Sequence, residues 1–552
     1  MIGHDSNSDS YLLGKVNFMT KKQHIISLLL VVVLLALSIG GIVIAQEERV
    51  LVVGYVESTD SMDPARAFSF TPFTIFRAAY QTLVWFPQDA VTPLQPDLAT
   101  DWEVAEDGMT YTFHLREDVV FSNGDLLTSE DVVFSFMRFK NVHGNGSFLA
   151  ESIDTVEAVD DYTVVIHMSA PDPALLNKLT FGGLSIVNAE VVQAAGGSAA
   201  DDAETADTAE QFFYESSAGS GPYILDHYEK EVETVLVRNE NYWGEAPYFD
   251  RIIFTNIPEA STRKLALEAG DIDIATGITP EQISAIESTP GLAVFQGSGL
   301  DMHYLGMNRD PEVGGPMANP LVNRAVRYAL DYEGLRLLNS AYAGTPPSMI
   351  PLGFFGAYTA EQAIQRDIEM AKSLLAEAGY PDGFDVDMVY WSTTNAGVNF
   401  DTNAQKIQAD LAEAGINVNL VPTDFAGWIE PYRAGTLAFT YGIWSPDFVD
   451  PANYLHFLPA VGDSVTVSNR VRWTEANADS EILELRDKAA VEPNPELRAE
   501  YYGQIQDYWQ QNGPWAPFLQ PAQQIAYNAN ILGPVMHPFW GLVDVRLLSR
   551  AE

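Results

Sequence analysis

The sequence predicts an α/β protein of two lobes, and three observations carry that expectation. At 552 residues, 47% of them hydrophobic, the chain exceeds what one core usually organises. Its texture changes near residue 300, from strand-rich with short helices to a regular alternation of helices and strands. Its last segment, 509–548, is rich in proline and aromatics (GPWAPFLQP, HPFWG) and has no helical period, so it cannot form its own core and is expected to return to the first lobe. Such a path makes two or three crossings between the lobes, the arrangement that permits hinge closure.

The elements follow in order. Residues 51–56 form a buried-strand run. Asp107-Gly108 is a hairpin dipeptide, after which Tyr111, Phe113 and Leu115 alternate with polar residues at strand period. A second turn stands at Asn123-Gly124, and Thr128 with Asp131 three residues later resembles a capping box, opening a helix whose apolar face is Val132, Val133 and Phe136. Val164, Ile166 and Met168 alternate. Residues 194–210 (AAGGSAADDAETADTAE) are small, acidic and aperiodic, which predicts a mobile surface insertion. Residues 262–270 read as a short helix stopped by Gly270, with Ile272 and Ile274 alternating beyond it. In the second part, Val322, Ala325, Val326, Ala329 and Leu330 make one helical face, and Ile368, Ala371, Leu374, Leu375 and Ala378 another, stopped by Gly379. A third helix is expected from a Thr402/Gln405 capping box to Gly415, followed by Ile416, Val418 and Leu420 as a strand. The pentapeptide LAEAG closes both of the last two helices, a good helix ending used twice.

The charge balance is 30 basic against 75 acidic residues, net −45, which excludes a nucleic-acid surface and argues against an anionic membrane surface as partner. Zero cysteines exclude disulfides, thiol catalysis, thiolate metal sites and a lipid-modified N-terminal cysteine. Lys21, Lys22 and His24 precede an apolar run over 25–45 ending Val43-Ile44-Ala45. Residues 1–45 are therefore expected to be a signal peptide cleaved after Ala45, or else an N-terminal anchor, the chain's one expected membrane contact. Translation starts at Met1 or Met19. The nine histidines show no ligand spacing, so no metal or cofactor is expected, and only His303 and His456 fall near the expected cleft strands. No GxSxG, HExxH, P-loop or GxGxxG motif is present, and no enzyme is expected, although a carboxylate-dependent hydrolase is compatible with so acidic a composition.

The segment 98–136 (LATDWEVAEDGMTYTFHLREDVVFSNGDLLTSEDVVFSF) closely resembles the signature region of the bacterial extracellular solute-binding proteins of family 5, the dipeptide/oligopeptide/nickel class. The resemblance continues in order through Met62-Asp63-Pro64, GSGPYIL at 219–225, NENYWG at 239–244, RKLALEAGDIDIA at 263–275 and LGMN at 305–308. It includes NRAVRYALDYEGL at 323–335, AKSLLAEAGYPDGF at 371–384, QADLAEAGINVNL at 408–420 and YGIWSPDFVDPANYL at 441–455.

That resemblance implies a two-lobe periplasmic-binding-protein fold (type II, cluster C-like). Lobe I would span 46–300 with an inserted subdomain at about 92–217, lobe II 301–508, and the return to lobe I 509–552. It implies the substrate-binding subunit of an ABC importer, periplasmic or extracellular on the outer face of the cytoplasmic membrane, capturing a peptide and delivering it to a membrane permease. Relatives on this scaffold also take oligosaccharides or metal chelates. In peptide-binding relatives the acidic residue after the tryptophan-led strand pairs with the peptide α-ammonium, and Asp447 stands at that position. The peptide main chain is held as an added strand between segments resembling Ile443–Trp444–Ser445 and Phe68–Ser69–Phe70, with Trp444 as a cleft wall. Asp450 is the weaker carboxylate candidate. No basic residue matches the one that holds a dipeptide's carboxylate in dipeptide-specific relatives, which puts strict dipeptide specificity in doubt.

Overall fold

The computed structural model describes residue 1 and residues 48–551, apart from 396, 460–465 and 542, and of Phe70 only the backbone. The expected signal peptide or anchor falls, but for Met1, outside the described residues. Among those residues no helix is long and apolar enough to cross a membrane.

Residues 49–551 form two α/β lobes, each built on one sheet. The first sheet has seven strands in the order Leu292–Ser298, Ala522–Asn528, Ile274–Thr276, Val50–Tyr55, Arg251–Asn256, Glu233–Arg238 and Tyr223–Glu229. Its centre is parallel, Val50–Tyr55 lying beside both Arg251–Asn256 and Ile274–Thr276. The second sheet has five strands in the order Ile416–Thr423, Phe384–Trp391, Phe439–Trp444, Met302–Met307 and Trp515–Leu519. The chain passes between the sheets at 299–301 and returns at 520–521, and the passages are tied together: Gln520 Nε2 donates to the Gly299 carbonyl at 2.7 Å and Gly299 N to the Pro521 carbonyl at 3.1 Å. The segment after 508 thus serves both lobes. Trp515–Leu519, entirely buried, completes the second sheet before Ala522–Asn528 rejoins the first.

The hairpin expected around Asp107-Gly108 joins Ala99–Val104 to Thr110–Leu115, with Gly108 at φ 68° as the turn requires. These strands belong to a separate four-stranded antiparallel sheet completed by Thr163–Met168 and Ile153–Asp160. Thr128 N donates to Asp131 Oδ2 at 2.9 Å and opens the helix Ser129–Asn141. The third helix of the second lobe differs from expectation at its start. It runs Phe400–Ala414 and is capped by Asn399, whose side chain accepts from Thr402 N at 2.8 Å. Thr402 is therefore inside the first turn, because an asparagine side chain reaches the free N–H groups from the preceding position.

The acidic stretch 194–210 is also not the loose insertion its composition suggests. Asp207 is buried and accepts from Arg138 Nε at 2.7 Å and from Arg66 Nη2 at 3.1 Å, while Arg138 forks onto Asp63 at 2.7 and 2.6 Å. Ala203 and Ala209 are buried beside it. A composition count sees only solvated acid here; one of these carboxylates neutralises a buried guanidinium.

Candidate functional site

The strand Phe439–Trp444 runs through the centre of the second sheet and ends at the cleft. Gly442 is needed there, since a Cβ would lie 2.8 Å from the Tyr304 ring. On one side the strand pairs with Met302–Met307 as far as Trp444. On the other its pairing with Phe384–Trp391 stops at Tyr441. Among the described residues, the edge from Gly442 to Trp444 on that side has no strand partner, and its backbone is open to an added strand.

Alternation sends Ile443 and Trp444 to opposite faces, and the bend after the strand end returns Asp447 to the Trp444 side. Trp444 and Asp447 line a cavity of about 460 Å³ with Phe148, His456, Arg433 and Arg470. Ile443 and Ser445 line another of about 300 Å³ with Asp301 and Gln524.

Asp447 is set by its neighbours. Asp450 caps the short 3₁₀ helix Pro451–Phe457, accepting from Ala452 N at 2.8 Å, and this helix carries the fully buried Asn453. Asn453 Oδ1 accepts from Trp444 Nε1 at 3.0 Å and its Nδ2 donates to Asp447 Oδ2 at 3.1 Å. One amide thereby orients both the indole and the carboxylate. No cation pairs with Asp447 among the described residues, and burial, opposed only by the Asn453 bond, pushes its carboxyl up to about 6. The residue is partly exposed, and the walls of the cavity around it supply the desolvation.

Asp450 is different. Arg498 Nη1 donates to its Oδ2 at 2.9 Å in a buried, bidentate pair, which commits Asp450 to structure. His303 is likewise a core residue. It is 1% exposed and in contact with the Tyr441 hydroxyl at 2.7 Å, and burial holds its imidazole down at about 3. His456 does line the Asp447 cavity, with its imidazole pKa lowered first by burial and then by Lys178 and Arg470. Among the described residues no group of three His, Cys, Asp or Glu side chains could hold a metal ion.

From the other lobe, Phe68 packs on Phe148, a wall of the Asp447 cavity, with ring centroids 5.9 Å apart. The backbone N–H groups of Phe68 and Ser69 are already taken, donating to the Asp60 carboxylate at 2.9 and 3.1 Å, and Ser69 Oγ donates to Asp60 at 2.6 Å. Ser69 stands at the N-cap position of the helix that starts at Phe70 without a capping bond from its side chain, and the Phe70 side chain lies outside the described residues. This segment is a turn entering a helix, so at 68–69 it has no N–H left for a ligand strand. Arg470, a residue the sequence reading did not single out, lines the same cavity as Asp447, its guanidinium 5.9 Å from the Trp444 ring centre. Asn453 lay within the quoted 441–455 motif, where its type signals only a turn. Arg470, Asp301 and Gln524 carry no local signal; the fold alone brings Arg470 to the Asp447 cavity and Asp301 and Gln524 to the other.

The comparisons with known proteins agree along the chain. A family model described as bacterial extracellular solute-binding proteins, family 5 middle, matches residues 93–464. Heme-binding protein A of Haemophilus influenzae is 30% identical over 485 residues, 83% of this chain and 85% of that protein. The probable D,D-dipeptide-binding periplasmic protein DdpA of Escherichia coli is 28% identical over 501 residues, 90% of this chain and 93% of its own. Among solved structures, the ABC transporter-associated periplasmic binding protein DppA from Helicobacter pylori in complex with the peptide STSA is 25% identical, with TM-score 0.71, covering 92% of this chain and 99% of that one. Matched by that family model over most of its length and 30% identical to such a relative, the chain belongs to the bacterial extracellular solute-binding proteins of family 5.

Proposed function

We propose that this protein captures peptides by their free amino terminus, with Asp447 as the counter-charge of the α-ammonium, and hands them to a membrane permease of an ABC importer. As a family 5 member it is a periplasmic or extracellular solute-binding component and not an enzyme. The observation that carries the peptide reading is the Asp447 carboxylate, without an ion-pair partner among the described residues and fixed by Asn453 beside Trp444 at the end of an open strand edge. An ammonium entering this recess brings both the missing charge and a charge-assisted hydrogen bond. The open edge at Ile443 to Ser445 offers main-chain pairing that does not select side chains. Phe68 closes the site from the opposite lobe through its packing on Phe148. Contacts to both lobes at once exist only when they meet, so ligand favours the closed form that docks on the permease.

The test is calorimetric titration with tripeptides and their N-acetylated counterparts. Asp447→Ala should weaken binding of the free-amino peptides at least about tenfold more than that of the acetylated ones. Equal losses for both would remove Asp447 from the role. Mass spectrometry of ligand released from the denatured, purified protein identifies the natural cargo directly.

A further inference from the structure

The cavity on the opposite face of the strand holds polar groups that a peptide amine at Asp447 leaves unused. Asp301 enters it from the passage between the two sheets, Ser445 from just beyond the strand end, and Gln524 from the returning strand Ala522–Asn528. Asp301 has no Lys, Arg or His partner among the described residues. Burial pushes its carboxyl up to about 6, opposed only by the neighbouring Ser445 side chain. Gln524 is 6% exposed, and its Nε2 donates to the Ile278 carbonyl at 3.0 Å. That bond fixes the amide orientation, since a carbonyl accepts only from the NH₂ end. Gln524 Oε1 is left buried without a partner. A buried acceptor in that state is rare in folded proteins and calls for a donor. Trp540 and Phe539 give the same cavity an aromatic wall.

We propose that this cavity is a second cation subsite, which takes the ammonium or guanidinium of a lysine or arginine side chain of the bound peptide. Asp301 supplies the counter-charge, Gln524 lines the recess beside it with an unsatisfied amide oxygen, and the aromatic wall covers the aliphatic stem. The subsite rests on the Asp447 reading for the ligand's placement, because the two carboxylates stand on opposite faces of the same segment, 443–447. Both lie close enough to the buried, unpartnered Tyr454 hydroxyl to raise its pKa after burial has done so. The protein therefore selects peptides with a basic residue near the amino terminus.

The experiment is a titration of tripeptides carrying lysine, or its neutral isostere norleucine, at the first, second or third position on an alanine background. Pentane-1,5-diamine against pentane-1-amine gives the same comparison without a peptide. At one position, lysine should bind at least about tenfold tighter than norleucine, and in Asp301→Asn that ratio should fall to about one. A ratio near one at every position in the native protein, or a ratio that survives Asp301→Asn, overturns the subsite. Should the lysine preference hold while acetylation makes no difference, the Asp447 role fails and the subsite stands; the converse pattern fails the subsite alone. If neither the peptides nor the diamine bind, both are overturned.

Discussion

Replacing Asp447 by asparagine should make the ligand-free protein more stable while abolishing capture of the amine. The carboxyl's pKa moves from 3.8 to about 6 on folding because the recess strips water from the charged form and offers only one hydrogen bond in return. Converted at 1.36 kcal/mol per pKa step, this is a ceiling of about 3 kcal/mol against folding. Residual access of water to the side chain lowers it to roughly 1–3 kcal/mol. The sign follows from linkage: a folded-state pKa raised above the unfolded one favours folding below about pH 4, and that benefit disappears as pH rises through about 6. Asparagine keeps the shape and can still accept from Asn453, but carries no charge. Urea denaturation of the native protein and Asp447→Asn at pH 8 and pH 4 should therefore show the variant more stable at pH 8 by roughly 1–3 kcal/mol and the difference absent at pH 4. A variant no more stable at pH 8 than at pH 4, relative to the native protein, would refute the claim that Asp447 is held charged and unpaired. Saturating a free-amino ligand should stabilise only the native protein.

Asn453→Ala leaves Trp444 Nε1 and Asp447 without their shared partner. It should weaken amine-dependent binding and lower stability by about 1–3 kcal/mol, measured by titration and denaturation together. Asp450→Ala strands the buried Arg498 guanidinium, and chemical denaturation should register a loss of about 3–5 kcal/mol. Asp207→Ala should free the 194–210 segment, and limited proteolysis should cut there faster than in the native protein; unchanged cleavage would mean that Arg138 and Arg66 do not pin it. Acidification should also destabilise the protein through His303: its folded-state pKa lies below the unfolded value, so stability present above about 6.5 is lost as pH falls toward about 3. His303→Gln should flatten that part of the pH–stability curve.

What could be read from the chain was whatever local periodicity and turn chemistry determine. The Asp107-Gly108 hairpin, the Thr128 start, Gly270 and Gly415 as helix ends and the Val322 to Leu330 face all depend on residues within a turn or two of each other. The Asn399 cap was missed because Thr402 and Gln405 satisfy the same local pattern three residues later, and only the register of the buried face chooses between them. The 194–210 stretch was misread because its decisive partner, Arg138, lies 69 residues from Asp207. The candidate site divides along the same line. Asp447 and Trp444 were found through a motif, whereas Asp301 and Gln524, 223 positions apart (524 − 301), share a cavity only because the two passages between the sheets lie side by side.

That arrangement also explains how two destabilising carboxylates can serve a binding protein. Asp447 and Asp301 flank one short segment where the lobes meet, and Asp301 is itself on a passage between the sheets. Neither has an ion-pair partner among the described residues, so each raises the free energy of any empty conformation that encloses it and raises it less where water can enter. On the proposed reading the empty protein would be biased toward an open cleft, and a ligand bearing the matching cations would remove the bias in proportion to how completely it fills both recesses. A ligand shifts the balance of open and closed forms only by its difference in affinity for the two. A peptide with one cation would then close the lobes less fully than one with two, and small-angle scattering of the protein saturated with trialanine or with its lysine-bearing counterpart would show it as a smaller contraction for the former. Equal contraction by both ligands would mean that Asp301 plays no part in closure.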